Sequence, residues 1–255
     1  MKILALDSSG LVASAALTQD DVLVAEYTTN YKKTHSQTLL PMLDELKRMV
    51  GLDLHTVDVI AVAAGPGSFT GLRIGAATAK GLGLALRVPI APVPTVDALA
   101  WNFYGSDRLV CPLMDARRSQ VYTGIYTFGK GKGGECRQEA LLEQCAISVE
   151  MLAERLNEFG REVIFLGDGV PVYREMLQER LKIPFSFAPA CCNRQRAALV
   201  ACLGAVYARE GRLVDADRFA PEYLRMSQAE RERMEADEIQ KEAMKAGKAP
   251  SHREE

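Results

Sequence analysis

A glycine-rich stretch between residues 65 and 83 constrains the fold of this chain more than any other segment. It begins with a Gly-Pro-Gly turn directly after the apolar run from Val57 to Ala64. A continuous run of this kind is typical of a strand buried on both faces of a sheet. Ser68 or Thr70 can then cap a helix that runs to about Leu86. The stretch therefore predicts a buried strand, a tight turn and a helix.

Small residues recur at every fourth position of this predicted helix and line one of its faces. Glycine inside a helix costs on the order of 1 kcal/mol relative to alanine, so another part of the structure has to offset the cost. Because a face without side chains lets another backbone come unusually close, we expect a tight contact with a second helix or with a sheet. This small-residue stripe consists of Gly71, Gly75, Ala79 and Gly83.

The same stretch could instead approach a phosphate, because glycines before a helix expose backbone amides to an anion. A P-loop needs Lys followed by Ser or Thr at the end of its motif, and Leu72-Arg73 stands there instead. The spacing does not match the dinucleotide-binding fingerprint either. Arg73 and Lys80 fall on another face of the helix, where they could meet a phosphate or an acidic partner. A solvated face explains the two cations at least as well.

The chain repeats one order of elements in its two halves. Each half begins with two apolar runs joined by a turn that an aspartate leads, Asp7 in the first half and Asp115 in the second. Each half then continues with an apolar run, a G-x-G turn and a helix, at Gly65 and at Gly167. Two such matches in the same order indicate an internal duplication. We therefore expect an α/β fold of two related lobes that meet near residue 105.

The two aspartate turns each have a functional and a structural interpretation. The hydroxyls and amides of Asp7, Ser8 and Ser9 could meet a phosphate, with the Asp7 carboxylate reaching a metal or water. The alternative, which the sequence favours, is an Asx or Ser turn in which Asp7 satisfies its own backbone. The turn from Asp115 to Arg118 could bind phosphate through its two arginines. Its first arginine could equally pair with the aspartate across the turn.

The spacing of apolar residues from Thr34 to Val50 predicts a helix that has Pro41 in its first turn or at a kink. A metal site of the H-x-x-x-H type on this helix would pair His35 with a histidine at position 39, where Leu39 stands. We therefore expect His35 to start the helix or to lie in an interface. The other two histidines lie in a polar linker and in the tail, so no Ser-His-Asp set is expected.

Composition narrows the classes of protein further. A formal net charge of -2 argues against electrostatic binding of nucleic acid over the whole protein surface. No apolar run approaches the roughly 18 residues that span a bilayer, and Asp7 interrupts the first run before a secretory signal could form, so we expect a cytoplasmic protein. The six cysteines form no C-x-x-C pair. We expect them to be reduced and mostly buried, as small hydrophobic side chains.

Five groups of residues together resemble one known family. They are Ile3 to Ser9, His35-Ser36 with Leu39-Leu40-Pro41, Gly65 to Gly75 with Ala79-Lys80-Gly81, Asp115 to Arg118 with Val121-Tyr122, and Pro221 with Tyr223-Leu224-Arg225. This combination resembles the TsaB (YeaZ) family of bacterial tRNA threonylcarbamoyladenosine biosynthesis proteins. The resemblance covers roughly residues 1–225. The first turn departs conservatively from the family, which often has Asp-Thr-Ser where this chain has Asp7-Ser8-Ser9.

The resemblance implies a fold of two duplicated actin-like ATPase (ribonuclease H-like) lobes, each a mixed β-sheet with flanking helices. The implied lobes are an N-terminal, partner-binding lobe at residues 1–105 and a C-terminal lobe at 106–225. A charged tail, helical or disordered, is expected at residues 226–255. The implied role is a non-catalytic subunit in the modification of the adenosine next to the anticodon of certain tRNAs. A stand-alone nucleotide hydrolase of the same superfamily is the alternative, and a metallopeptidase is a third hypothesis from older names in the superfamily.

The resemblance also implies partners and site residues. The transferase TsaD, a paralogue that carries metal-binding histidines, would pair with helices of the N-terminal lobe, and the ATPase TsaE would join them. Contact with tRNA only through the complex and no membrane contact are expected, while a homodimer of the isolated chain is left open against a monomer. No cofactor of its own and no catalytic or metal-binding residue are implied, while ATP or ADP at the complex interface is left open.

Two sets of residues follow for the site. The expected partner interface consists of His35, Leu39, Met42, Leu43, Leu46, Gly71, Arg73, Gly75, Ala79, Lys80 and Gly83. The candidate nucleotide-binding residues are Asp7, Ser8, Ser9 and Ser68. On this basis, a Gly75→Leu change is expected to block pairing with TsaD and to leave the lobe folded.

Overall fold

Two five-stranded mixed sheets form the framework of the protein. A computed structural model describes residues 1–31, 34–131 and 136–225, so the tail expected at 226–255 lies outside the described residues. Met1 to Tyr223 form one compact unit, and a second unit begins at Leu224. No helix in the described part of the chain is long and apolar enough to cross a membrane.

The first sheet has the strand order β3-β2-β1-β4-β5. Its first three strands are antiparallel, and β4 and β5 run parallel to β1. The elements are β1 (Lys2–Asp7), β2 (Ala13–Gln19), β3 (Val22–Thr29), α1 (His35–Val50), β4 (Val59–Gly65), α2 (Phe69–Leu86) and β5 (Ile90–Pro94). The predicted buried strand and the helix to Leu86 are therefore confirmed.

The second sheet repeats this topology with the order β8-β7-β6-β9-β10. The elements that follow β5 along the chain are α3 (Thr95–Ala100), β6 (Leu109–Asp115), β7 (Gln120–Lys130), β8 (Cys136–Ser148), α4 (Val149–Phe159), β9 (Val163–Leu166), α5 (Val170–Arg180), β10 (Phe185–Phe187) and α6 (Ala197–Arg209). Both sheets place an antiparallel meander before two parallel strands, so the predicted duplication is confirmed. The exact boundary near residue 105 stays a prediction.

The first sheet is covered on both faces, which explains why β1 and β4 are continuous apolar runs rather than alternating ones. Leu4 and Leu6 of β1 face the core formed with α1 and α2. Ile3 and Ala5, which alternate with them, face a second core that includes α6. Every residue of β4 is buried. The edge of the sheet at the end of β1 and β4 is thereby held in place from both sides.

The C-terminal segment, residues 213–223, folds back over the first sheet after α6. Val214 forms an antiparallel bridge with β5, and Phe219 is buried in the first core. The ammonium group of Lys80 on α2 donates to the carbonyl oxygens of Asp217 and Phe219, both at 2.9 Å. The segment therefore fastens the last part of the described chain onto α2.

The cysteines differ from the expectation that most of them are buried. Cys111 is buried, whereas Cys191 and Cys202 are exposed. Cys136, Cys145 and Cys192 are half-buried. All six are free thiols, as expected. The prediction of burial was wrong because the spacing of cysteines along the chain does not determine which side chains face the solvent.

Candidate functional site: the aspartate turn and the glycine-rich helix

The first aspartate turn lies where β1 leaves the sheet, and its aspartate is almost completely buried. One carboxylate oxygen of Asp7 accepts hydrogen bonds from the backbone N–H of Ser9 at 2.9 Å and from the Ser9 hydroxyl at 2.6 Å. Burial raises the pKa of Asp7, while the bonds from Ser9 and the nearby charge of His35 act in the opposite direction. This is the Asx or Ser turn that the sequence favoured.

The glycine-rich loop lies directly on this turn. The backbone N–H of Ser68 donates to the carbonyl oxygen of Ser9 at 2.7 Å. A Cβ atom on Gly67 would lie 2.2 Å from that carbonyl oxygen, and a Cβ atom on Gly71 would lie 2.1 Å from the carbonyl oxygen of Ser8. Both glycines are therefore required for the loop to come this close.

The structure brings the four candidate nucleotide-binding residues together, but the chain itself uses their polar groups. The Ser8 hydroxyl donates to the carbonyl oxygen of Gly71 at 2.8 Å, and the Ser9 hydroxyl is held by Asp7. Ser68 is exposed and caps α2 by accepting the Gly71 N–H at 3.3 Å. Nucleotide binding by these residues stays a prediction, and it would require the turn and the loop to separate.

The close contact predicted from the small-residue stripe is made within this chain. A Cβ atom on Gly75 would lie 2.6 Å from the Ser8 hydroxyl oxygen, and one on Gly83 would lie 2.7 Å from the Cβ atom of Ala216 in the C-terminal segment. Ala79 is fully buried. This corrects the expectation that the stripe faces a partner, because its surface is already covered. The residues concerned are Gly71, Gly75, Ala79 and Gly83.

The apolar residues predicted for the interface on α1 also point inward. Leu39 and Leu46 are 1% and 0% exposed and belong to the first core. Met42 and Leu43 are half-buried and pack against that core. The helical spacing correctly identified the apolar face of α1, but this face holds the helix to its own sheet. Leu39 and Leu46 are thus corrected from interface to core residues.

The remaining predicted interface residues are polar or charged. His35 is half-buried, and its Nε2 atom is bonded to the carbonyl oxygen of Gly10 at 2.8 Å, next to the aspartate turn. Lys80 holds the C-terminal segment. Arg73 is exposed and places its guanidinium group 4.2 Å from the centre of the Phe69 ring. Of the predicted set, Arg73 alone is an exposed side chain.

Sequence reasoning missed a second stripe on α2, which is exposed. Arg73, Ala77, Gly81 and Ala85 are also four residues apart, and all four are exposed. A Cβ atom on Gly81 would meet no atom within 4 Å. The two stripes have the same period and similar composition, so periodicity alone could not tell which one faces the sheet. We call this set the outer stripe.

Large apolar side chains lie exposed on the same two helices. Leu40 and Met49 on α1 are 57% and 60% exposed, and Leu84 on α2 is 57% exposed. Single exposed apolar residues are common on protein surfaces, and only a contiguous apolar patch marks an interaction surface. Leu40 was part of the resemblance but not of the predicted interface. The signal that could have identified Leu84 is its position opposite the small-residue stripe of α2. Leu40 and Met49 instead lie about 90° to either side of the buried face of α1.

At the second aspartate turn, the first arginine pairs with the aspartate. Asp115 accepts the backbone N–H of Arg117 at 2.9 Å, and the Nε atom of Arg117 lies 3.8 Å from its other carboxylate oxygen. The Tyr173 hydroxyl also donates to Asp115 at 3.2 Å. Arg117, Arg118 and Ser119 all have left-handed φ angles, of 64°, 56° and 57°. The pairing across the turn, one of the two alternatives, is the one observed.

The described residues contain no group of three or more histidine, cysteine or acidic side chains that could hold a metal ion.

One polar residue that sequence reasoning missed is Gln195, which is 1% exposed and lies against Gly10. No sequence motif marked it, because it precedes α6 by two residues and reaches the aspartate turn only through the fold.

Two sheets of identical order, each with an aspartate turn after its first strand, define a duplicated α/β protein of the actin-like ATPase class. The family model for TsaD, tRNA N6-adenosine threonylcarbamoyltransferase, matches residues 22–233. The tRNA threonylcarbamoyladenosine biosynthesis protein TsaB of Bacillus subtilis is 35% identical over 230 residues, which cover 90% of this chain and 96% of that protein. The chain belongs to the TsaB (YeaZ) family, as its motifs predicted.

Solved structures agree with this assignment. YeaZ from Pseudomonas aeruginosa is 29% identical, with a TM-score of 0.72, and the match covers 88% of this chain and 99% of that one. A second Pseudomonas aeruginosa structure with the same values is described as an uncharacterized protein similar to the peptidase YEAZ. Both structures support the fold found here.

Proposed function

We propose that this chain is a non-catalytic subunit in tRNA threonylcarbamoyladenosine biosynthesis, where it binds and supports the transferase TsaD together with the ATPase TsaE. Its membership of the TsaB family supports the pathway, since the Bacillus subtilis relative is named for this biosynthesis. The proposal places the protein in the cytoplasm and gives it no cofactor of its own. It includes ATP or ADP only at the interface of the complex, and tRNA contact only through the partners.

The observation that carries the non-catalytic role is the closed aspartate turn. Ser8 and Ser9 are buried, and their hydroxyls are bonded to the glycine-rich loop and to Asp7. A general base or nucleophile must lie within hydrogen-bond reach of a reacting group. The loop lies so close to the turn that a Cβ atom on Gly67 or Gly71 would overlap a backbone carbonyl oxygen of the turn. The groups that could do chemistry are therefore used to hold the N-terminal sheet and α2 together.

The exposed surface of α1 and α2 is the surface that we propose for TsaD. Its centre is the outer stripe of α2, where Ala77 and Gly81 leave room for a partner helix to approach closely. Leu84 supplies exposed apolar area beside it on α2. The buried stripe on the opposite face anchors α2 from behind. We propose that the isolated chain uses the same surface to form a homodimer.

Reconstitution tests the proposal. Purified TsaD and TsaE from the same organism are incubated with unmodified tRNA and threonylcarbamoyl-adenylate, with and without this chain, and the modified nucleoside is measured by mass spectrometry. We expect modification only when the chain is present, and none with the chain alone. Full modification by TsaD and TsaE without it would contradict the proposal.

A stand-alone nucleotide hydrolase is the second candidate function. The convergence of Asp7, Ser8, Ser9 and Ser68 at the end of β1 favours it, because this collects a carboxylate and three hydroxyls at one sheet edge. Turnover of ATP by the purified chain, lost on substitution of Asp7, would support this alternative against the first proposal.

A further inference from the structure

Two adjacent cysteines, Cys191 and Cys192, lie in a short 3-10 turn (Ala190–Cys192) before α6. Their sulfur atoms are 3.6 Å apart. Consecutive residues of a 3-10 turn point about 120° apart around its axis, so the two thiols have turned toward each other. Cys191 is exposed, and Cys192 is half-buried. The pair therefore lies at the surface, with its two sulfur atoms next to each other.

The residues that follow this pair fasten the loop to the second sheet. The carbonyl oxygen of Asn193 accepts the backbone N–H of Gly167 at 3.0 Å. The Arg194 guanidinium group donates to the carbonyl oxygen of Gly167 at 3.0 Å. The turn itself is closed by the N–H of Cys192, which donates to Pro189 at 3.0 Å. A change in the turn would therefore be transmitted to the G-x-G turn of the second half.

We propose that Cys191 and Cys192 form a dithiol oxidation site, which hydrogen peroxide closes to a disulfide between adjacent residues and a thiol reductant reopens. The exposed Cys191 attacks the peroxide, whose O–O bond breaks, to give a sulfenic acid and one water. The sulfur of Cys192 then attacks the sulfenic sulfur, and the S–S bond forms as a second water leaves. Two thiols lose two electrons and two protons, and the peroxide is reduced to two waters.

Geometry makes this disulfide reversible. Adjacent Cα atoms are about 3.8 Å apart, below the usual range of about 4.4–6.8 Å for bridged residues. Strained and exposed disulfides are the ones that reductants open readily, and they serve as regulatory rather than structural bonds. Cys111 differs from Cys191 and Cys192, because burial raises the pKa of its thiol to about 12 and keeps it from solvent.

Mass spectrometry of the full chain tests the site. After treatment with hydrogen peroxide, we expect the loss of two free thiols and a tryptic peptide with an internal Cys191–Cys192 bond, both reversed by dithiothreitol. The reduced chain should bind one phenylarsine oxide, which bridges two thiols with the release of water. Cys191→Ser should lose both properties, and Cys202→Ser, which removes an exposed single thiol, should keep both. Separate oxidation of the two sulfurs, or retention of both properties by Cys191→Ser, would overturn the proposal.

Hydrogen exchange tests the link to the second sheet. Closing the ring should break the bond from Cys192 to Pro189, so the amide of Gly167 should exchange at least several-fold faster in the oxidised chain. The reduced chain and the peroxide-treated Cys191→Ser variant serve as controls and should match each other. Equal exchange at Gly167 in the oxidised and reduced chains would overturn the link between the dithiol and this turn.

Discussion

Asp97 in α3 accepts a hydrogen bond of 2.6 Å from the Tyr126 hydroxyl on β7 and so joins the two halves of the chain. Burial raises its pKa from the ordinary 3.8 to about 6, and the nearby charge of Glu143 adds to the rise. The Tyr126 bond and the charge of Arg212 act in the opposite direction. The folded chain therefore binds a proton at Asp97 more tightly than the unfolded chain does.

This shift predicts the sign of a pH dependence. A raised pKa contributes stability that is fully present below about pH 4 and lost as the pH rises through about 6, because the folded state disfavours the charged form. The shift corresponds to on the order of 3 kcal/mol. Urea unfolding of the native chain and of Asp97→Asn should show the native chain losing about this much relative to the variant between those pH values.

The control for Asp97→Asn is Asp107→Asn, which changes an exposed aspartate in the loop before β6. The free energy of unfolding of this variant is measured over the same pH range, as the reference for removing an aspartate at an exposed position. A free-energy difference between native and Asp97→Asn that stays constant from about pH 4 to 7 would show that Asp97 is not held in its protonated form.

At the scale of single elements, α2 carries the small-residue stripe on its buried side and the outer stripe on its exposed side. The small-residue stripe is covered by the aspartate turn and the C-terminal segment, and the outer stripe is exposed. A leucine at Gly81 should not harm folding, since alanine-like residues are favoured over glycine in helices by about 1 kcal/mol. It should reduce binding to TsaD at least tenfold, because it fills the space for a partner helix.

The comparison variant is Gly75→Leu, whose Cβ atom would lie 2.6 Å from the Ser8 hydroxyl. Overpacking of this kind costs about 1–3 kcal/mol or more, so the earlier expectation that this variant leaves the lobe folded does not follow from the structure. Gly129→Leu on β7 adds the same side chain in open space away from α2. Thermal unfolding and titration with TsaD measure both effects. If Gly81→Leu bound TsaD with the affinity of the native chain, the outer stripe would not be part of the interface.

The helices also mark the limit of what the sequence could predict. The helical period of α2 predicted a close contact. It could not determine whether the small-residue stripe or the outer stripe is buried, since both repeat every four residues. The N-terminus of α6 shows the same limit, because it is capped by Ser14 and Glu26 from β2 and β3 and not by its own residues. Such contacts join positions more than 170 residues apart in the chain. No local pattern records them.

At the scale of the whole molecule, the internal duplication was predictable from the sequence, whereas the hydrogen bonds of the aspartate turn were not. The order of aspartate turn, apolar run and G-x-G turn recurs locally, so it could be recognised in each half. Asp7, Ser8, Ser9 and Ser68 lie near one another, and their hydrogen bonds depend on how α2 packs on the end of β1. This contact closes the turn in the folded chain.

A substitution at Asp7 separates a role in assembly from a role in hydrolysis in the intact complex. Asparagine has the same shape, can still accept the bonds from Ser9 and removes a carboxylate whose burial already disfavours its charge, so Asp7→Asn should fold at least as well as the native chain. If the chain acts as a binding subunit, reconstituted tRNA modification should change less than twofold in this variant, while Gly81→Leu should lose most of it. A loss of tenfold or more in Asp7→Asn, with normal folding and normal binding to TsaD, would show that the aspartate takes part in chemistry and would favour the hydrolase.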